Sequence, residues 1–176
     1  MRHGVLRVLT CWAIAVCGAW ASAARADEVP EYRLKAAFVF NFMRFTQWPE
    51  ATGKTLNLCV YGEDPFGAEI DGLRGKTIGG RTVAVHRVAL GQSLAHCQAT
   101  FVSAGAIARW SLLAKSLQGQ PLLSVADSPG ALGQGVMVNM RLADRKVTFE
   151  ASQRAARGAG LNLSSKLLSL ATTVQQ

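Results

Sequence analysis

The chain has 176 residues, a formal charge of +8 and 49% hydrophobic residues. That balance excludes a disordered polar chain and suits one globular domain behind a short leader. No run of Lys or Arg concentrates the basic excess on one segment, so nucleic-acid binding is not expected.

Residues 1–26 read as an export signal. Arg2, His3 and Arg7 make a basic start, Val8 to Trp20 is apolar, and Ala21-Ser22-Ala23 and Ala24-Arg25-Ala26 offer small-x-small cleavage sites. The apolar run is too short for a stable anchor. The bulky Val16 before Cys17 does not suit lipid attachment. Cleavage after Ala26 is favoured, with Ala23 the alternative. It removes Arg2, Arg7 and Arg25 but no acid, which takes +8 to +5, and it leaves Cys59 and Cys97 as the mature cysteines. Residues 27–176 are then a single exported domain with a periplasmic location, and about 150 residues are enough for one core.

Glu31 to Phe45 reads as a helix with two apolar faces. Leu34, Phe38, Phe42 and Phe45 share one face, with Asn41 inside it; Tyr32, Ala36, Val39 and Met43 share nearly the opposite one. Such a helix must be covered twice, once by the domain's own sheet and once by another helix or a second copy of the chain. On the second alternative the Met43 face is a candidate dimer surface. Trp48-Pro49 ends the helix.

Short β-type segments then alternate with helix and turn signals. Thr55 to Tyr61 is a strand closed by Gly62-Glu63-Asp64-Pro65, and Phe66 to Leu73 forms a short helix. Thr82 to Val88 and Ala99 to Ser103 are strands, followed by a helix carrying Ile107, Leu112, Leu113 and Leu117. Pro121 to Ala126 is a fourth strand. This order predicts an α/β fold: a three-layer α/β/α arrangement with a largely parallel mixed sheet. Val136 to Leu142 and Lys146 to Ala151 flank Ala143-Asp144-Arg145 and predict an antiparallel hairpin near the C-terminus. Ser152 to Arg157 is a short helix. Ser164 or Ser165 caps a last helix with Leu163, Leu167, Leu170 and Val174 as its apolar stripe.

Catalytic signals are absent, and an enzyme is not expected. Gly75-Lys76-Thr77 ends like a phosphate-binding loop, but Ile70 stands where the first glycine belongs. His86 and His96 lack the flanking pattern of a general base, and no serine sits in a nucleophile elbow. Glu63, Asp64, Glu69 and Asp71 do not follow calcium-loop spacing. A zinc site needs clustered ligand spacing, which one His96-Cys97 neighbour and a distant Cys59 do not supply, so no metal or cofactor is expected. In an exported domain the even pair Cys59 and Cys97 is expected to oxidise. Adjacent strands could hold the two within disulfide reach. A structural staple is favoured; a redox-sensitive bond is the rival. In an open α/β sheet ligands bind at the carboxyl ends of strands, which makes Asp64, Ser103 and Asp127 a candidate crevice. Capping of the following elements by Asp64 and Asp127 is the favoured alternative.

The segment Tyr32-Arg33-Leu34-Lys35-Ala36-Ala37-Phe38-Val39-Phe40-Asn41-Phe42, continuing through Phe45 to Trp48-Pro49, resembles the opening signature of the YfiR family of periplasmic regulators. Similar blocks follow in order: Cys59-Val60-Tyr61-Gly62-Glu63-Asp64-Pro65-Phe66-Gly67, Gly79-Gly80-Arg81, Cys97 before Phe101-Val102-Ser103, Pro121 through Asp127, Val147-Thr148-Phe149-Glu150, and Gly160 through Leu168. The resemblance implies a non-catalytic homodimer that binds the periplasmic sensor region of an inner-membrane diguanylate cyclase and represses cyclic di-GMP synthesis. An outer-membrane lipoprotein would relieve the repression. Cys59 and Cys97 match a cysteine pair of the family; the second pair that some members carry between Val136 and Arg145 is missing. The implied partner or ligand surface comprises Glu150, Leu161, Asn162, Ser164 and Lys166. Asn162 and Ser164 stand where other members can carry Arg or His, and Ala151-Ser152 replaces an apolar-Asn pair. The alternative function is a small-molecule-binding periplasmic protein acting through a membrane histidine-kinase sensor.

Overall fold

The computed structural model describes residues 28–143 and 146–176. The export signal and the hairpin-tip residues Asp144 and Arg145 lie outside the described residues. The first helix, α1 (Glu28–Arg44), carries Pro30 in its first turn, where proline is tolerated, and no Gly or Pro after it. Its end is built by side chains: Thr46 Oγ1 donates to the Phe42 carbonyl at 2.7 Å and Trp48 Nε1 to the Met43 carbonyl at 3.0 Å. They satisfy acceptors that the helix leaves without partners.

Extended segments follow as β1 (Thr46–Gln47), β2 (Thr55–Tyr61), a short α2 (Ala68–Asp71), β3 (Thr77–Ile78), β4 (Arg81–Val88) and β5 (Ala99–Val102). After them come α3 (Ile107–Ser116), β6 (Leu123–Ala126), β7 (Val138–Ala143), β8 (Lys146–Ser152), α4 (Gln153–Gly158), β9 (Asn162–Leu163), α5 (Ser165–Leu168) and β10 (Thr173–Gln175). The main sheet has eight strands in the order β10-β8-β7-β6-β5-β2-β4-β3. From β4 to β7 every neighbour is parallel. β7 and β8 form the expected antiparallel hairpin, in register from Val138↔Ala151 to Ala143↔Lys146. β1 and β9 make a separate two-stranded pairing.

The period-2 alternation of the central strands divides the core in two. Leu56, Leu58 and Val60 of β2 join Phe101, Val125, Met140 and Phe149 under α1, α2 and α4. Cys59 and Tyr61 face the other way and join Val102, Ala126 and Trp110 under α3. Helices thus cover both faces of the sheet. On the first side Phe42 and Phe149 meet edge to face, with ring centroids 4.9 Å apart. On the second side Cys59 and Cys97 form the disulfide, with Cα atoms 6.0 Å apart across a separation of 38 residues. Parallel pairing of β2 with β5 supplies that proximity. Closing a loop of this length stabilises the fold by roughly 4 kcal/mol in the chain-entropy model.

Several expectations are corrected. α1 does not bury two opposite faces: one stripe, Ala36, Val39, Phe42 and Met43, is buried, whereas Leu34, Ala37 and Asn41 are exposed and Phe38 and Phe45 half-buried. Consecutive Phe42 and Met43 are only 100° apart and straddle one contact line. Met43 is 0% exposed and offers no dimer surface. In α3, Leu112 points to solvent, and Trp110 is the buried anchor. The last helix stops at Leu168, and Leu170 is exposed. β-branched Thr172, Thr173 and Val174 favour extension; Thr172 N–H donates to the Phe149 carbonyl at 2.8 Å and starts β10 along the edge of β8.

Because Phe42 and Met43 are both fully buried, Phe42→Ala is expected to cost about 3–5 kcal/mol of unfolding free energy. Met43→Asp, which adds an unpaired buried charge, should cost at least as much. Urea denaturation followed by circular dichroism measures both, and a folded Met43→Asp protein of wild-type midpoint would refute this packing.

Candidate functional site

The carboxyl ends of β2, β5 and β6 carry Gly62 to Asp64, Ser103 and Asp127, and the first turns of α1 reach that end of the sheet. Asp127 accepts hydrogen bonds from Lys35 Nζ at 2.6 Å and from the Tyr32 hydroxyl at 3.3 Å. Lys35 also pairs with Glu31 one turn earlier, and its ammonium stands 4.6 Å from the centroid of the Tyr32 ring. The side chains of Lys35 and Asp127 are only 6% and 9% exposed. Burial by itself disfavours the Lys35 ammonium, but the hydrogen bonds to Asp127 and Glu31 outweigh it and hold the group above its ordinary value of 10.5. Burial, and then the charge of Asp127, push the Tyr32 hydroxyl above its ordinary 10.0. The Tyr32 ring meets Phe66 edge to face, and Phe66 meets Phe101 in the same way, so the anchor continues into the core.

Asp64 and Ser103 are likewise engaged within the chain. Asp64 Oδ1 accepts from the Phe66 N–H at 2.8 Å, and Oδ2 accepts from Arg87 Nε at 3.0 Å. Arg87 also grips both oxygens of Asp71. That bond from Arg87 is the main reason the Asp71 carboxyl lies below its ordinary value, against the opposing effect of burial. Arg33 pairs with Glu69, so three members of the acidic cluster have cationic partners. Ser103 is buried, its N–H donates to the Tyr61 carbonyl, and its Oγ occupies the space where a Cβ on Gly62 would stand. Gly62 has φ +95°, so this close approach admits only glycine. The expected crevice of Asp64, Ser103 and Asp127 is therefore closed by α1 and by the pairing of Asp64 and Asp127, while the buried Ser103 Oγ has no hydrogen-bond partner. Asp64 supports a local turn, and Asp127 binds Lys35 rather than capping the element after it.

The five residues of the expected C-terminal surface do not share one face. Phe149 and Ala151 point toward α1, so Glu150 between them points to the opposite side of the sheet. There Glu150 accepts from Asn139 Nδ2 at 3.0 Å and faces Arg141. Leu161 is 2% exposed and belongs to the core under α1, not to a surface. Asn162 donates to Gln47 at 2.9 Å, and Ser164 caps α5 by accepting from the Leu167 N–H. The Lys166 ammonium lies 5.5 Å from the Phe45 ring centroid. Asn162, Ser164 and Lys166 thus surround the C-terminal end of α1 with Phe45 and Gln47, while Glu150 stands apart.

Two further features carry chemistry. A groove of about 640 Å³ runs between α3, α4 and the Gly133 to Gly135 turn, lined by Trp110, Lys115, Ser124, Met137 and Arg154 among others. The buried indole N–H of Trp110 has no hydrogen-bond partner. On the same side of the sheet, His96 places Nε2 3.9 Å from Cys59 Sγ. Neither feature was read from the sequence. Trp110 carried no positional signal, and the groove gathers residues from three separate segments. Lys35 did have a local sign, the i,i+4 spacing from Glu31, but nothing local pointed to Asp127, 92 residues away.

A family model described as YfiR/HmsC-like matches residues 32–172. No curated protein matches the chain. Among the described residues no helix is long and apolar enough to cross a membrane.

Lys35→Met, which leaves Asp127 buried beside no cation, is expected to cost about 3–5 kcal/mol; adding Asp127→Leu should restore most of it. Lys35 is held protonated in the fold, so its contribution is complete below its ordinary value of 10.5 and is lost as pH rises through the higher folded value. The raised Tyr32 hydroxyl acts with the same sign above 10.0. The gap in urea midpoint between wild type and Lys35→Met should therefore be smaller at about pH 11 than at about pH 8; equal midpoints for the two proteins at both pH values would refute the anchor.

Proposed function

The chain belongs to the YfiR/HmsC-like family, a family of periplasmic regulators of cyclic di-GMP signalling, and from that premise we propose that it is a non-catalytic repressor. It is exported by the signal in residues 1–26, binds the periplasmic sensor region of an inner-membrane diguanylate cyclase, and holds cyclic di-GMP synthesis down. An outer-membrane lipoprotein that sequesters it relieves the repression and promotes biofilm. The observation that carries this reading is the extent of the family match, residues 32–172, which runs from the α1 signature through α5 and stops just before β10.

The partner surface best supported by the geometry is the exposed end of α1 with the α5 turn: Phe45, Gln47, Asn162, Ser164 and Lys166. It combines a half-buried aromatic ring, amides and a cation, a mixture that suits a protein partner. Glu150 forms a second, separate contact region on the other face of the sheet. Self-association uses the outer stripe of α1, where Leu34 is 39% exposed. The groove favours a second reading, a small-molecule-binding regulator acting through a membrane histidine kinase. Lys115 and Arg154 beside the unpartnered Trp110 N–H suit a small anionic ligand.

Periplasmic crosslinking followed by pull-down is expected to recover a membrane protein with a diguanylate cyclase domain, and clean deletion should raise cyclic di-GMP. Unchanged cyclic di-GMP with recovery of a histidine kinase would favour the second reading. Leu34→Asp should give a folded monomer by light scattering; a persistent dimer would place the self-contact elsewhere.

A further inference from the structure

β2 carries Cys59 with its side chain on the α3 side of the sheet, and the loop entering β5 carries His96-Cys97. Parallel pairing of these strands brings one ligand atom from each of Cys59, His96 and Cys97 within 4.8 Å of the others. The Cys59 Sγ to His96 Nε2 distance is 3.9 Å. Tetrahedral zinc, with Zn–S of about 2.3 Å and Zn–N of about 2.0 Å, sets its ligand atoms roughly 3.5–3.8 Å apart. The cysteine Cα atoms, 6.0 Å apart, leave the two sulfurs room to separate to that distance once they are no longer bonded.

The surroundings favour a defined site. The His96 carbonyl accepts from Asn57 Nδ2 at 2.8 Å, and the Cys97 N–H donates to the Leu94 carbonyl at 2.9 Å, so the ligand-bearing backbone is fixed. Both cysteines are buried, and His96 is exposed. An ion therefore has an entry at the imidazole and shielded sulfurs behind it. His86, whose ring centroid is 5.6 Å from that of His96, is held by Asn57 at 3.1 Å and is not counted as a ligand.

We propose that reduction of the Cys59–Cys97 bond creates a zinc site with Cys59, Cys97 and His96 as protein ligands and the fourth position open to water. The reductant is a dithiol acting by thiol–disulfide exchange. It gives two electrons and two protons to the Cys59–Cys97 bond and itself becomes a disulfide. Zinc binding then releases the protons of the two thiols and takes two thiolates and the neutral imidazole as ligands. The bound ion keeps the sulfurs from rejoining, so a transient reduction becomes a persistent state of the regulator.

Cobalt(II) is the spectroscopic probe. Mature protein reduced with a phosphine, desalted without oxygen and titrated with Co²⁺ is expected to show one equivalent bound. The spectrum should contain thiolate-to-cobalt charge transfer in the near ultraviolet and tetrahedral d–d bands in the visible, and Zn²⁺ should displace the ion. Oxidised protein should show none of these bands. His96→Ala should weaken the site by roughly tenfold or more and shift the bands, while the oxidised variant melts like wild type because His96 is exposed. Absence of bands in the reduced wild type, bands in the oxidised protein, or the same affinity and spectrum in His96→Ala would each overturn the proposal. A reduced chain that has lost its fold would bind cobalt equally with and without His96, which is the last of these outcomes.

Discussion

The buried ion pair between Lys35 and Asp127 fixes the placement of α1 on the sheet. Its two charges leave water together, so each is costly without the other. Asp127 sits where β6 ends, and Lys35 sits two turns into α1. Once they meet, Tyr32 reaches Asp127 and Phe66, and the stripe from Ala36 to Met43 lies on the larger core cluster. The same docking closes the carboxyl ends of the strands, where an open α/β sheet would present its ligand crevice. With that end closed, the exposed and open features lie at the margins: the C-terminal end of α1 with Phe45 and Gln47, and the groove beside α3.

The two faces of the sheet are stabilised differently. Under α1 the aromatic cluster of Phe38, Phe42 and Phe149 provides broad apolar burial. Under α3 the cluster is smaller and contains the disulfide and Trp110. The Cys59–Cys97 link therefore lies on the side with the smaller core cluster, next to the groove-lining helix.

Much of the fold was legible locally. Thr55–Tyr61 was delimited by alternation and by Gly62, and the hairpin from Val138 to Ser152 by two β-rich runs around a short polar turn. The errors occurred where local pattern admitted two outcomes. Leu167, Leu170 and Val174 fit a helical stripe, yet the chain extends at Thr172 because an unpaired edge of β8 was available to it. Leu161 lies beside polar neighbours in a motif that suggested surface, yet α4 and the sheet cover it. Asn41 fell inside an apolar face on a helical wheel but is exposed, since the contact line of α1 runs along Val39 and Met43.

By itself the sequence determined the α/β class, the strand and helix alternation, the cysteine pair and the resemblance to a periplasmic regulatory family. These rest on periodicity, composition and short motifs, each of which is encoded within a few adjacent residues. Only the tertiary structure decided which distant residues meet: Lys35 with Asp127, Asn139 with Glu150, and His96 with Cys59. Parallel strands are joined by crossovers that bring residues tens of positions apart side by side, so ligand spacing along the chain bears no relation to spacing in space. That is why the linear pattern argued against a metal site while the paired β2 and β5 assemble three ligand atoms within 4.8 Å.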